Sequence, residues 1–365
     1  MAGPNGSWNY SVPHARSTRS DCNPSSCKAH HTRVSFKQID FRRFLPIRPR
    51  LEDGESLSSW LARTAQENAC DIRTLGEFIS VSEDLFDDID DRASYEFLNS
   101  ATMLTGVAAR DLLRASFTDD RDLANDWLQS VHGDRPTIAE RGMQYCPDCL
   151  RTDENPYFRR NWRLSLVTIC PIHRRYLAER CVSCMEQVHA ADGGLLAKNP
   201  DREGAPPDLL NCRICKHDLR IADEKPTQEA VLRGLEFVNC LIGEYSSDFR
   251  DHRLLGPVVD FMVSPAAIKF RTEVARRSCQ LDPLQGAPSK IHYGFSAIEP
   301  ERRAGILSLA IWLIRNWEQE FESIARSCPN LQSAGMRHRS YWDFRDLNNI
   351  ADGSSTGTFG LRRYQ

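Results

Sequence analysis

Apolar residues recur along much of the chain with the spacing of α-helices. From Leu57 through Trp60 and Leu61, apolar side chains lie three and four positions apart, which predicts an amphipathic helix. Asp53 or Ser56 can cap its N-terminus, because a short side-chain oxygen accepts a hydrogen bond from a free backbone amide. The first folded region is therefore expected to open with a helix.

More helical sequence follows this first segment. Asp71 can cap a short helix that ends near Ile79. Residues 95–117 predict a helix, a turn at Thr105–Gly106 and a further helix. The acidic stretch 82–91 separates the two segments, and we expect it to form a solvated loop or a helix end.

The C-terminal half is also helical by the same criterion. Residues 228–245 and 301–321 carry the strongest pattern, and the apolar run 306–314 is about half the length of a membrane span. The predicted fold is mainly α with a small β-containing region. Its parts are a flexible tail 1–40, a helical domain 41–140, a cysteine-rich region 141–222, a helical domain 223–335 and a loose tail 336–365.

Composition narrows the class of protein. A chain of 365 residues with 41% hydrophobic residues suits two or three ordinary domains, and its net charge of −3 provides no bulk attraction to nucleic acid or membrane. The N-terminal residues lack the apolar core of a signal peptide, so we expect a soluble cytoplasmic protein. Thiols stay reduced there, and thirteen cysteines are then better explained by metal than by disulfides.

Eight of the potential ligands form four half-sites with the same spacing. They are Cys146 and Cys149, Cys170 and His173, Cys181 and Cys184, and Cys212 and Cys215. A structural zinc ion takes four such ligands, so four half-sites predict two zinc ions per chain. Both ligand sets are complete and rich in thiolate, which favours a structural role over a catalytic one.

The lengths of the linkers do not by themselves determine which half-sites share an ion. Sequential, cross-braced and nested arrangements are all compatible with the linker lengths. We favour sequential pairing, because residues 162–169 resemble a strand that can return antiparallel beneath its own ion.

Basic residues cluster near the first two half-sites and on the helix after Gly106. The candidates for nucleic-acid contact are Arg110, Arg114, Arg159, Arg160, Arg163, Arg174 and Arg175. Guanidinium groups bind phosphate, and the interleaved Tyr157, Phe158, Trp162 and Tyr176 can stack on bases. Alternatively, the aromatic residues form core and the arginines pair with Asp148, Asp153 or Glu179.

Two motifs carry a resemblance to a known family. The helix "ESLSSWLAR" (55–63) and the sequence "PYFRRNWRL" (156–164) before the Cys170–His173 pair resemble the TniQ family of transposition proteins, from about Phe44 to Cys215. The resemblance implies a helix-turn-helix domain, tandem zinc fingers with sequential ligand pairing and a second helical domain. It also implies a target-selection adaptor that links DNA, directly or through a guide-RNA complex, to an AAA+ ATPase, and it allows a homodimer.

Two other functions fit parts of the pattern. One is a zinc-containing helix-turn-helix transcription regulator, which binds an operator without an ATPase partner. The other is a thiol–disulfide oxidoreductase, although a redox motif of this type explains only one Cys-x-x-Cys pair. The sequence has no Walker-type phosphate loop, so we do not expect it to hydrolyse ATP. We therefore favour a non-catalytic transposition adaptor.

Overall fold

The computed structural model describes most of the chain between Phe44 and Cys328. The described residues are 44–79, 89–129, 143–188, 206–221, 250–285 and 294–328, with helical positions 232, 234, 238 and 242. All of them belong to one compact unit that starts at Arg42. The predicted tails 1–40 and 336–365 and most of the predicted helix 228–245 lie outside these residues.

The structure describes five helices in the N-terminal part. They are α1 (Leu57–Glu67), α2 (Ile72–Ile79), α3 (Tyr95–Thr105), α4 (Ala109–Arg114) and α5 (Arg121–Trp127). Ser56 caps α1 by accepting a hydrogen bond from the Ser59 amide at 3.2 Å. Asp71 accepts one from the Thr74 amide at 2.8 Å at the start of α2. The predicted helices and caps of this region are confirmed.

The turn between α3 and α4 depends on Gly106. Its φ of +80° lies in the left-handed region, which glycine enters without steric cost. The Gly106 amide donates to the carbonyl of Thr102 at 2.8 Å and closes the end of α3. The predicted helix–turn–helix order of residues 95–117 is therefore confirmed, while its function as a DNA-reading motif stays a prediction.

One residue of the acidic stretch is buried, although the sequence pattern predicts a solvated segment. Asp90 is fully buried, so the prediction of a solvated segment is wrong at this position. Its carboxylate accepts hydrogen bonds from the Ser58 amide at 2.8 Å, the Ser58 hydroxyl at 2.7 Å and Arg163 at 2.5 Å. A charge at this depth requires a partner, and Arg163 lies too far along the chain to appear in a local pattern.

The cysteine-rich region has little regular structure. Its elements are α6 (Pro147–Thr152) and a 3₁₀ turn at Arg160–Arg163. The predicted strand 162–169 is not formed as a regular strand: within it, the structure shows isolated bridges of Leu164 with Leu128 and of Ile169 with Tyr176. Single bridges suffice here because adjacent turns reverse the chain after a few residues.

The structure describes four complete helices in the C-terminal part. They are α7 (Arg250–Val263), α8 (Ile268–Arg277), α9 (Pro300–Arg315) and α10 (Trp317–Ser327). The predicted segment 301–321 is helical but is divided at Asn316 between α9 and α10. Helix α9 packs against α7, α8 and α10 and is apolar on most of its circumference, as expected for a central helix.

The hydrophobic core is continuous across these parts. Buried side chains from α1 to α10 and from the cysteine-rich region belong to one cluster. Trp127 of α5, for example, meets Phe295 edge to face, with ring centroids 5.9 Å apart. Among the described residues, no helix combines the length and the apolar character that crossing a bilayer requires.

Two glycines in the C-terminal helical part should respond oppositely to alanine. Gly234 lines a small gap with Leu166 and Leu307, and an added Cβ would meet Ile311 at an ordinary 3.6 Å. A Cβ on Gly305 of α9 would lie 2.7 Å from Cβ of Pro283. We expect Gly234→Ala to raise the free energy of unfolding by about 1 kcal/mol and Gly305→Ala to lower it by about 1–3 kcal/mol.

Thermal and denaturant unfolding of the two variants beside the wild type measures this difference. Because both substitutions add the same methyl group to a helix, each controls for the effect of helix propensity on the other. Stabilisation by both substitutions, or by neither, would contradict the packing described here.

Candidate metal centres

Three of the four half-sites fold into the same short turn. In the turn that begins at Cys170, the Arg174 amide donates to the Cys170 carbonyl at 2.9 Å, and the Cys170 amide donates to the Arg175 carbonyl at 2.9 Å. Equivalent pairs of bonds, at 2.8–2.9 Å, close the turns that begin at Cys181 and Cys212. The repeated bonds place both ligands of each turn on one side, as a metal centre requires.

The residue after the second ligand adopts a left-handed conformation in all three turns. The φ angles are 52° at Arg174, 60° at Met185 and 60° at Lys216. This conformation costs a non-glycine residue about 1–2 kcal/mol. Glycine is the usual sequence signal for such a position, so these three residues carry no local signal that would identify them.

The remaining half-site is built differently. Cys146 caps the N-terminus of α6, Pro147 occupies its first turn and Cys149 follows within the helix. Proline is favoured at this position because its missing amide hydrogen is not needed there. The first ligand group (Cys146, Cys149, Cys170 and His173) thus combines a helix start with a turn. The second ligand group (Cys181, Cys184, Cys212 and Cys215) combines two turns.

The first ligand group has the dimensions of a zinc site. The sulfurs of Cys149 and Cys170 are 3.5 Å apart, and Nδ1 of His173 lies 3.6, 3.3 and 3.7 Å from the sulfurs of Cys146, Cys149 and Cys170. Tetrahedral zinc with Zn–S of about 2.3 Å and Zn–N of about 2.0 Å implies ligand separations of roughly 3.5–3.8 Å. These four residues could therefore hold a zinc ion.

The second ligand group has the same dimensions with sulfur alone. Cys181 and Cys215 approach to 3.5 Å between sulfurs, and Cys184 and Cys212 approach to 3.6 Å. In each group the ligand atoms lie within 4.8 Å of one another. The grouping is the sequential arrangement that we favoured, and this second group could also hold a zinc ion.

The pKa values of the thiols in the first group also favour the binding of a divalent cation. The hydrogen bond between the Cys146 and Cys149 thiols raises the pKa of Cys149 well above its usual range. Hydrogen bonds from Cys146 and Cys149 hold the pKa of Cys170 well below its usual range. Adjacent sulfurs therefore resist joint ionisation unless a divalent ion neutralises them.

The two groups differ in exposure. In the first, the three cysteines are buried and His173 is half-buried. In the second, Cys181 and Cys212 are buried, Cys184 is half-buried and Cys215 is exposed. Solvent and chelators therefore have easier access to the second group.

Four of the seven predicted nucleic-acid residues form close ion pairs within the protein, of 3.0 Å or less, whereas Arg110 and Arg114 lie 3.6 Å from Asp111 on their own helix. Arg163 pairs with Asp90, Arg159 with Asp153 at 3.0 Å, Arg160 with Asp120, and Arg175 with Asp148 at 2.8 Å.

The burial of nearby residues agrees with these pairs. The Arg163 side chain is only 2% exposed, and the Phe158 and Trp162 rings are buried in the core. These surroundings fit the structural alternative, in which the aromatic rings form core and the arginines form ion pairs. Arg174 is exposed, and the side chains of Arg110 and Arg114 on α4 are 80% and 79% exposed.

Fold and ligands together define a mainly helical protein with two tandem candidate metal centres of zinc-finger chemistry. The family model described as TniQ matches residues 46–177, roughly a third of the chain. This match shows that residues 46–177 are similar to the TniQ family and supports the resemblance. It spans α1 to α6 and all four residues of the first ligand group, whereas the second group lies beyond it. No curated protein matches the chain.

Metal content tests the two centres directly. We expect about two zinc ions per chain by elemental analysis, since each group supplies four ligands. Cys149→Ser should remove about one of them and unfold the surrounding region, because metal affinity contributes to folding. Cys279→Ser, at an exposed cysteine outside both groups, is the matched control and should keep both ions. Folded protein that is free of metal and unaffected by chelators would contradict the assignment.

Proposed function

We propose that the chain is a non-catalytic adaptor in DNA transposition. It recognises, or is recruited to, a target site and brings an AAA+ ATPase and a transposase there. The observation that carries the proposal is the TniQ match over residues 46–177, which includes both the N-terminal helices and the first ligand group. Similarity to the TniQ family supports a transposition-associated adaptor role, and the named partners are our extension of it.

The metal centres fit the structural part of this role. A catalytic zinc keeps one coordination position open for water, whereas each ligand group here supplies four protein ligands. The ions would hold together a region that has isolated bridges in place of regular strands. A rigid connector between two helical parts is the form that an adaptor needs.

For direct DNA contact we propose α4 as the principal element. Arg110 and Arg114 lie one turn apart on this helix, and each is 3.6 Å from Asp111, a weak surface pairing. Highly exposed guanidinium groups can exchange such a partner for a phosphate at little cost. Arg174 is a further candidate on the first metal-binding turn. Recruitment through a guide-RNA complex is equally compatible with the proposed role.

A double substitution tests the contribution of α4. Arg110→Ala with Arg114→Ala should weaken binding to duplex DNA, and the slope of log affinity against log salt should fall by about 0.9 per lost phosphate contact. Arg326→Ala is the control, because this arginine is 79% exposed and has a similarly weak partner in Glu322 at 3.5 Å. Equal DNA affinity of the double variant, the control and the wild type would remove α4 from the interface.

Co-purification with a co-expressed AAA+ ATPase of a transposition system tests the adaptor role. The adaptor should retain the ATPase, and Cys149→Ser should lose it together with its metal, while Cys279→Ser retains both. A transcription regulator would instead bind a defined operator without retaining the ATPase. A thiol–disulfide oxidoreductase would be metal-free with reactive thiols when purified. Either result would replace the proposal.

A further inference from the structure

One fully buried cation connects the C-terminal helices to the cysteine-rich region. Arg303, near the start of α9, has a side-chain exposure of 0%. Its guanidinium donates to the Gln144 side-chain oxygen at 2.9 Å, to the Glu179 carboxylate and to the Ser296 carbonyl at 3.3 Å. Removing a guanidinium from water is costly unless such partners compensate, so this contact determines how α9 can pack.

Both side-chain acceptors belong to one short backbone pairing. Tyr145 and Ala178 exchange two backbone hydrogen bonds of 2.8 Å. Gln144 precedes Tyr145 in one segment of this bridge, and Glu179 follows Ala178 in the other. Gln144 is held further by its amide, which donates to the carbonyls of Trp162 at 2.9 Å and Leu164 at 3.0 Å. The receptor for Arg303 is therefore also held by contacts that do not involve α9.

The same pairing lies between the two candidate metal centres. Cys146 of the first ligand group directly follows Tyr145, and Cys181 of the second group follows Glu179 by two residues. The Tyr145 hydroxyl also donates to the Arg180 carbonyl at 3.2 Å. Because Gln144 and Glu179 are so close to metal ligands, a change in ligand position moves the atoms that receive Arg303.

We propose that the Arg303–Glu179 ion pair couples metal binding to the docking of the C-terminal helices. With metal bound, the Tyr145–Ala178 pairing holds Gln144 and Glu179 in place to receive Arg303. Loss of metal loosens this receptor and leaves Arg303 buried without adequate partners, so α9 separates from the cysteine-rich region. Arg303 is thus a positioning residue for the metal centres, although it contributes no ligand.

Thermodynamic linkage makes this coupling reciprocal. If metal favours the docked position of α9 by some factor, docking favours metal retention by the same factor. Coupling between sites in proteins is usually about 5–150-fold. The proposal therefore predicts two effects of similar size, one on α9 and one on the metal.

The first effect is measured on the unmodified chain. Hydrogen exchange of the zinc-loaded protein is compared with that of protein treated with a zinc chelator. We expect the amides of Arg303 to Leu307 in α9 to exchange about 5–150-fold faster after zinc removal. Unchanged exchange in α9 after verified zinc loss would overturn the proposal, and this measurement requires no variant to fold.

The second effect is measured as the rate of zinc release to a chromophoric chelator. Arg303→Met should accelerate release by about 5–150-fold relative to the wild type. Arg271→Met is the matched control, because Arg271 is also buried, at 4% side-chain exposure, and pairs with Asp282 at 2.7 Å within the C-terminal part. The control should lower stability without accelerating zinc release.

Equal zinc release by the two folded variants would show general destabilisation and would overturn the coupling. If Arg303→Met does not fold, Glu179→Gln tests the same ion pair through its other partner. Hydrogen exchange of the unmodified chain tests the coupling without any variant. Neither readout uses DNA or the ATPase. The coupling can therefore fail while the adaptor role stands, and the reverse also holds.

Discussion

The convergence of four ligand atoms on one point is the constraint on which the middle of this protein depends. Each ligand group brings its atoms within 4.8 Å of one another across 28 to 35 residues of chain. Isolated bridges and short turns cannot impose such closeness, because each contributes only a few hydrogen bonds. Zinc ligation by these residues would supply the missing free energy, and the turns determine which side chains would face the ion.

Buried ion pairs attach the helical parts to this metal-binding region. Asp90 with Arg163 joins it to the N-terminal helices, and Glu179 with Arg303 joins it to α9. Breaking either pair would leave a desolvated charge, which makes each contact specific for one packing arrangement. The continuous hydrophobic core then stabilises an arrangement that these polar contacts select.

This construction suits a protein whose proposed function is to connect other molecules. An adaptor must keep separate surfaces at defined distances, and two closed metal centres between helical parts would provide that rigidity. The exposed arginines of α4 lie in the N-terminal part, whereas the arginines beside the first ligand group mostly serve its internal structure. A basic cluster in a sequence is thus not sufficient to locate an interface.

The sequence by itself determined the N-terminal helices, their caps at Ser56 and Asp71, the turn at Gly106 and the eight residues that form the two candidate ligand groups. All of these depend on neighbouring residues or on short, repeated spacings, which a linear pattern preserves. Only the tertiary structure decided that Asp90 is buried, that Arg163 and Arg303 are internal cations, and that Arg174, Met185 and Lys216 adopt left-handed backbone conformations. The partners of Asp90 and Arg303 lie 73 and 124 positions away, and no local pattern encodes a contact at that separation.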